Sequence, residues 1–462
     1  DAGNLARDGL DAVVFYDKPL RKFRRILETQ FSVAPRGLRA FVTAMPLWLR
    51  QKLWVGLAIE RTLARCGVRC PDDILYTAHH EAHAASAFFP SPFERAAILT
   101  IDGVGEYATS ELARGEGNRI EYLKELRYPH SLGLLYSAFT YFTGFRINAG
   151  EYKLMGLAPY GEPKYVDLIL DKLVRLYDDG SLRLNLEYFG FLGGLTMTNA
   201  RFARLFGGKP RVPESEITQR EMDLARSIQV VTEEVVLRMA RHLRAVTGER
   251  CVCLAGGVAL NCVANGRLLR EKIFDEIWVQ PAAGDAGGAL GAALCAWHQF
   301  HGRPRQADGV HDRMHGACLG PAFSDEQIGE FLTLHQYPAI KLAAAEWPDA
   351  IAALIEHQSV VGLFQGRMEF GPRALGCRSI IGDARAPQMQ SLMNLKTKRR
   401  ESFRPFAPAC LRERVSDYFE LEQASPYMLL TAPVRSERRR AVPPIAAEDL
   451  RGRVNQVRSD IP

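Results

Sequence analysis

Apolar positions along the chain fall into two periods. Leu10 to Tyr16 is a short apolar run, and residues 38–65 repeat Leu, Ala, Trp and Arg at helical spacing up to a stop at Cys66-Gly67. A short helix beginning near Ala78 carries His79-His80-Glu81-Ala82-His83. Arg95 to Asp102 then predicts a buried strand that enters a glycine-rich turn, Asp102-Gly103-Val104-Gly105, and returns as a hairpin reaching Tyr128. Leu224 to Val246 repeats apolar residues at three and four, the mark of an amphipathic helix. Beyond it, strand Cys251–Ala255 meets Gly256-Gly257 and a helix, and strand Ile277–Gln280 meets Gly284-Asp285 and another helix. Strand, glycine turn and helix in alternation predict a three-layer α/β domain. His301 to Pro321 lacks periodicity and is expected to be a connector. A second α/β unit is expected from residue 323, with a strand over Val360–Phe364. There is no internal repeat or low-complexity segment.

Composition adds limits rather than a function. The chain has 462 residues, enough for two or three domains, with 47% hydrophobic and 24% charged residues, as in an ordinary globular protein. Fifty-nine Lys and Arg against 53 Asp and Glu leave +6, too little for a nucleic-acid-binding surface. The densest basic group is Lys396, Lys398, Arg399 and Arg400. Nine scattered cysteines, several inside apolar runs, predict reduced thiols and a cytoplasmic location. Cys66 and Cys70 have metal half-site spacing, but no second half follows. No run of about 18 apolar residues exists to form a membrane span. The chain opens on Asp1 and closes at Pro462 in mid-pattern, so truncation at both ends is expected.

Four places carry chemistry. His79 and His83, four apart on a helix, present both imidazoles on one face, able to share a cation or simply to pack. The spacing of Glu81 excludes a zincin helix. Asp102 and Asp285 each close a strand and open a glycine turn, where a carboxylate projects into a cleft or caps a helix. Two imidazoles and two carboxylates suit iron, manganese or zinc. Gly256-Gly257 permits close ligand approach and Asn261 adds hydrogen bonds, a nucleotide site in function or a packing device in the plain reading. The block Gly150 to Gly161 reads as a functional loop, whose Lys153 meets an anion or merely pairs with Glu151. Arg367, Arg373 and Arg378, interleaved with Glu369, Gly371-Pro372 and Gly376 and followed by Ser379, offer planar donors for phosphate oxygens. Lys396 and Arg404 extend that basic surface.

Taken together, His79-x-x-x-His83, the Asp102-Gly103 hairpin, Gly-Glu-Tyr-Lys-Leu-Met-Gly-Leu-Ala-Pro-Tyr-Gly at 150–161, Gly-Gly-Val-Ala-Leu-Asn at 256–261 and Glu-Phe-Gly-Pro-Arg-Ala-Leu-Gly at 369–376 resemble the nodulation and antibiotic O-carbamoyltransferases. The resemblance runs in order from about residue 70 to 410. It implies an actin-like ATPase, ribonuclease H-like domain over 1–320 and a smaller YrdC-like α/β domain over 323–462. In such a protein the second domain forms carbamoyl-adenylate from ATP and carbamoyl phosphate, and the first transfers the carbamoyl group to a hydroxyl acceptor, a sugar or natural product. The implied roles are catalysis by Arg367, Arg373, Arg378 and Lys153, ATP and carbamoyl phosphate contacts by Gly256, Gly257, Asn261, Ser379, Lys396 and Arg404, and a divalent metal on His79, His83, Asp102 and Asp285. That metal is expected to be Fe2+, with Mg2+ accompanying ATP. His80 is a nearby base or an ordinary helix histidine. No membrane or nucleic-acid partner is implied, and a homodimer is compatible with the reading.

Three rival readings stay open. An actin-fold small-molecule kinase uses the glycine turns but leaves the arginines without a purpose, a tRNA threonylcarbamoyl-transfer protein wants a larger basic surface, and a nucleotide-dependent interaction module needs no chemistry. Because an actin-like domain opens with a hairpin that nothing ahead of Leu10 supplies, these 462 residues are expected to bind nucleotide weakly and turn over slowly. Normal turnover by the purified chain contradicts that expectation.

Overall fold

A central five-stranded sheet organises the larger part of the protein, seen in a computed structural model that describes residues 10–439 and 447–455. Its strands are β3 (Arg95–Ile101), β4 (Ala108–Glu116), β5 (Arg119–Arg127), β8 (Cys251–Ala255) and β9 (Glu276–Val279), in the order β5-β4-β3-β8-β9. The first three are antiparallel neighbours, and β8 and β9 run parallel to β3. Residues 96–101 and 252–255 are buried, as expected of strands covered on both faces. Two small pairs stand beside this sheet: β1 (Val13–Phe15) runs parallel to β2 (Ile74–Tyr76), and β6 (Val174–Leu176) is antiparallel to β7 (Leu182–Leu184).

Each helix near the sheet has a local reason to start where it does. Glu81 reaches back to the Ala78 amide at 2.7 Å and Glu106 accepts from the His79 amide at 3.1 Å, which fixes the first turn of helix His79–Phe88. Thr218 and Glu221 form a capping box for the long helix Gln219–Thr247, which ends on left-handed Gly248. Asn261 caps helix Cys262–Arg270 by accepting from the Ala264 amide at 3.0 Å. Away from the sheet, Phe139, Phe142, Phe202 and Phe206 pack with ring centroids 4.8–6.0 Å apart. These four rings knit helix Leu132–Phe142 to helix Ala200–Leu205 and its end.

One block departs from expectation. Residues 150–161 form a helix over Glu151–Leu157 and a 3₁₀ turn over Ala158–Tyr160 instead of a loop. Leu154 and Leu157 are fully buried, and their burial outweighs the glycine and proline punctuation that suggested irregular chain.

The chain divides into two compact units. The first runs to Arg313 and includes Leu429–Thr431; the second comprises Met314–Met428 and continues from Ala432. The division thus falls inside the expected connector. Its first half belongs to the larger unit because Arg305 donates to the carbonyls of Phe88, Phe89, Ser91 and Phe93 while its guanidinium lies 4.3 Å over the Phe88 ring. Segment 429–431 belongs there through Asn265 Nδ2, which donates to the Leu429 carbonyl at 3.1 Å, and the Thr431 amide, which donates to Cys262 at 3.2 Å. In the second unit β10 (Val361–Phe364) and β11 (Arg378–Ile381) form an antiparallel pair. Helices Asp325–Leu334 and Trp347–Glu356 precede them.

Helix Ala286–Cys295 crosses helix His79–Phe88 at a contact only glycine allows, since a Cβ at Gly291 lies 1.8 Å from the Ala82 carbonyl oxygen. Gly291→Ala is expected to lower the unfolding free energy by about 2–3 kcal/mol, measured as a reduced urea midpoint of the larger unit.

Candidate functional site

Three strands of the sheet share one direction, and their carboxyl ends bring together residues far apart in sequence. Asp102 follows β3, Gly256-Gly257 follows β8, and Asp285 lies in the turn after β9. This edge is where open α/β sheets place their ligands. Helix His79–Phe88 adds His79 and His83, one turn apart and both buried.

Four donor atoms converge there. His79 Nε2 lies 3.0 Å from Asp102 Oδ2, 3.2 Å from His83 Nε2 and 3.6 Å from Asp285 Oδ1. His83 Nε2 is 3.7 Å from both Asp102 Oδ2 and Asp285 Oδ1. A divalent ion about 2.1 Å from each of four tetrahedral donors sets their separations near 3.4 Å, so the spacing suits a cation. The donor chemistry agrees, because neutral imidazole nitrogens and carboxylate oxygens are ordinary ligands of a divalent transition metal. Asp285 is 64% exposed while the imidazoles are nearly inaccessible, which leaves the cluster open to solvent on its side.

The carboxylate of Asp102 divides its work. Oδ1 accepts from the Gly257 amide at 3.0 Å, leaving Oδ2 for the imidazoles. The turn that brings Gly257 there needs Gly256 at φ 89°, where a Cβ would meet the Ile101 carbonyl at 2.2 Å. The double glycine therefore has a packing purpose. Ser131 clamps the other side of the Asp102 turn, donating to the Gly103 carbonyl at 2.7 Å, and also caps helix Leu132–Phe142.

Electrostatics follows from burial and partners. Burial pulls the His79 imidazole down, but the hydrogen bond and charge of Asp102, with the Asp17 carboxylate 3.5 Å from Nδ1, outweigh it and raise its pKa to about 9. Burial likewise opposes ionisation of Asp102, yet bonds from His79 and His83 hold it well below the carboxylate range. His80 differs from both neighbours. It is buried with Nδ1 2.7 Å from Thr100 Oγ1, and burial with the nearby His83 lowers its pKa to about 3. It is a core histidine facing the sheet.

One member of the site had no counterpart in the sequence reading. Asp17 Oδ1 is 3.5 Å from His79 Nδ1, the ring atom turned away from the cluster, and Lys22 Nζ donates to Asp17 Oδ2 at 2.6 Å. Carboxylates in this position orient metal-binding imidazoles. Asp17 follows β1 as Asp102 follows β3, so the same signal was present in a shorter strand.

Asn261 is committed within the fold. Its Nδ2 donates to Gln229 Oε1 at 2.9 Å, and its Oδ1 accepts from Gln229 Nε2 at 3.1 Å and from the Ala264 amide. Lys153 lies on helix Glu151–Leu157, with Nζ 6.0 Å from the Phe145 ring centroid. Its expected partner Glu151 instead accepts from Ser137 Oγ at 2.8 Å and from the Asn148 amide at 3.0 Å.

In the second unit, the loop between β10 and β11 carries Arg367 and Arg373, while Arg378 and Ser379 open β11. The loop is gathered around Glu369, whose buried Oε1 accepts from the amides of Leu375, Cys377 and Arg378 at 2.8, 2.8 and 3.2 Å. Burial resists this charge, but the amides hold the carboxyl below its ordinary pKa. Arg378 turns back on the framework, its guanidinium 3.6 Å over Phe364 and donating to the carbonyls of Gln365 at 2.8 Å and Cys377 at 2.9 Å. Ser379 Oγ accepts from the Gly376 amide at 2.9 Å. Arg367 and Lys396 are exposed, and Arg404 is mostly covered with Nη1 3.5 Å from Glu401. Cys66 and Cys70 join no metal-type cluster among the described residues, and no helix there is long and apolar enough to cross a membrane.

A mixed α/β protein with a His2Asp2 cluster at the carboxyl edge of its sheet is thus defined by its own geometry. Residues 2–294 match the family described as carbamoyltransferase N-terminus and residues 352–461 match carbamoyltransferase C-terminus. The chain belongs to the carbamoyltransferase family. It is 56% identical to an uncharacterized protein of Synechocystis sp. over 98% of this chain and 74% of that protein. It is 37% identical to nodulation protein NolNO of Sinorhizobium fredii over 85% of this chain, and 38% identical to nodulation protein NolO of Bradyrhizobium diazoefficiens over 77%. It spans 56% and 63% of those two nodulation proteins. Among solved structures, HypF of T. kodakarensis overlaps 54% of this chain and 39% of its own, at 15% identity and a TM-score of 0.27, too low to inform the fold.

The His79 pairing has a pH signature. Because its folded pKa lies above the ordinary 6.5, its stabilisation is complete below 6.5 and is lost as pH rises to about 9. Without added cation, the melting temperature is expected to fall across that window and His79→Gln to flatten the fall. A wild-type midpoint that stays level there contradicts the pairing.

Proposed function

We propose that this protein is an ATP-dependent O-carbamoyltransferase whose larger unit carries out the transfer. The observation carrying the proposal is the convergence of His79, His83, Asp102 and Asp285 within a chain of carbamoyltransferase family. The strand order β5-β4-β3-β8-β9, three antiparallel strands followed by two parallel to the first, supports an actin-like, ribonuclease H-like larger domain. The smaller unit is read as YrdC-like.

In this reading water cleaves carbamoyl phosphate to carbamate and phosphate, a carbamate oxygen displaces pyrophosphate from the α-phosphorus of ATP to give carbamoyl-adenylate, and an acceptor hydroxyl then takes the carbamoyl group with release of AMP. Arg367 and Arg373, with Lys396 and Arg404, bind phosphate oxygens from the loop that Glu369 shapes. Arg378 and Ser379 hold that loop in form. Gly256 and Gly257 admit the nucleotide close to the sheet edge, Asn261 positions the following helix, and Lys153 supplies a cation to an anionic group. His79, His83, Asp102 and Asp285 hold a divalent ion, iron first, with Mg2+ accompanying ATP. Such an ion supplies positive charge against the phosphate that leaves as the carbamate is discharged. The acceptor is a hydroxyl-bearing small molecule.

Two measurements test this. Pyrophosphate release from ATP is expected to require carbamoyl phosphate and to disappear in Arg373→Ala; ADP formed without pyrophosphate from ATP and a sugar alone favours the kinase reading. Asp17→Asn is expected to weaken Fe2+ or Mn2+ binding about 10–100-fold by calorimetry, since it leaves the four donors in place and removes only the group that orients His79.

A further inference from the structure

The second unit holds a pair of sulfurs that the proposed chemistry does not use. Cys318 Sγ and Cys377 Sγ lie 3.6 Å apart, both half-buried. Backbone hydrogen bonds fix each of them. Residues 317–321 run beside 368–370 through Phe370 N to the Ala317 carbonyl at 2.7 Å, Gly320 N to Met368 at 2.8 Å and Met368 N to Pro321 at 3.0 Å. Cys377 is held by its amide on Glu369 and by its carbonyl, which accepts from the Gln365 amide at 3.0 Å. The two thiols thus face each other, Cys377 at the end of the arginine-bearing loop and Cys318 in the segment that runs beside the start of that loop. A disulfide needs the sulfurs about 1.5 Å closer, within reach of side-chain rotation.

We propose that Cys318 and Cys377 form a reversible disulfide that ties the loop of residues 366–377 to the segment before the first helix of its unit. Two S–H bonds break and one S–S bond forms. The two electrons and two protons pass to a peroxide, whose O–O bond cleaves to give two molecules of water, and a dithiol reverses the change. Burial and the neighbouring Cys318 sulfur hold the Cys377 thiol above its ordinary pKa, so oxidation quickens as pH rises. A metal on this pair is not favoured, since no third cysteine, histidine or carboxylate completes such a cluster among the described residues. The tie does not depend on what the loop binds.

The test treats the reduced whole chain with hydrogen peroxide, alkylates the remaining thiols and maps the digest by mass spectrometry. The expected product is a monomer about 2 Da lighter, with one peptide pair joining Cys318 to Cys377, restored by dithiothreitol. Amide exchange over residues 366–377 is expected to slow at least about fivefold in the oxidised form. C318S and C377S should each remove both effects, whereas C66S, on an exposed thiol, should leave them intact. Recovery of Cys318 and Cys377 as alkylated thiols while exposed Cys66 and Cys410 are oxidised overturns the proposal. So does a cross-link without slower exchange.

Discussion

Two imidazole nitrogens 3.2 Å apart, with almost no access to water, set the constraint on the larger unit. At that distance one ring donates to the other or the two share a cation, and negative charge beside the pair favours either arrangement. Asp102 supplies one such charge and Asp285 the other. Both arrive from strand ends, and the helix carrying the histidines is pressed against the helix after Asp285 by a backbone contact at Gly291. Sheet edge, glycine turn and helix crossing therefore all serve to keep four side chains within one small volume.

The second unit uses the same economy with different means. Its arginine-rich loop is ordered from inside by a single buried carboxylate that collects three amides, and Arg378 spends its donors on carbonyls and an aromatic face. A basic sequence cluster thus contains arginines in different settings, Arg378 turned back onto the framework and Arg367 exposed. That difference depends on side-chain direction, which composition does not record.

Much of this was legible in advance where periodicity and punctuation agree. Strands Arg95–Ile101, Cys251–Ala255 and Glu276–Val279 are apolar runs closed by a turn; the carboxylates of the cluster were legible from their place after such strands, and the histidines from their four-residue spacing on one helix. Residues 150–161 were misread because their glycines and proline mask a helix whose identity comes from two buried leucines. Asp17 went unseen because a three-residue strand gives little periodic signal. His80 shows the reverse difficulty: its sequence setting matches His79 and His83, and only the direction it faces on the helix, toward Thr100, separates it from them. Asn261 and Gly256 carried family-like spacing, yet their immediate contacts serve helix capping and close packing.

The split duty of Asp102 has a mechanical implication. One oxygen is tethered to the amide of the glycine turn and the other to the imidazoles, so the carboxylate behaves as a lever pivoting at the end of β3. The backbone of the glycine turn and the angle of the carboxylate toward the histidines are thereby joined through a single side chain.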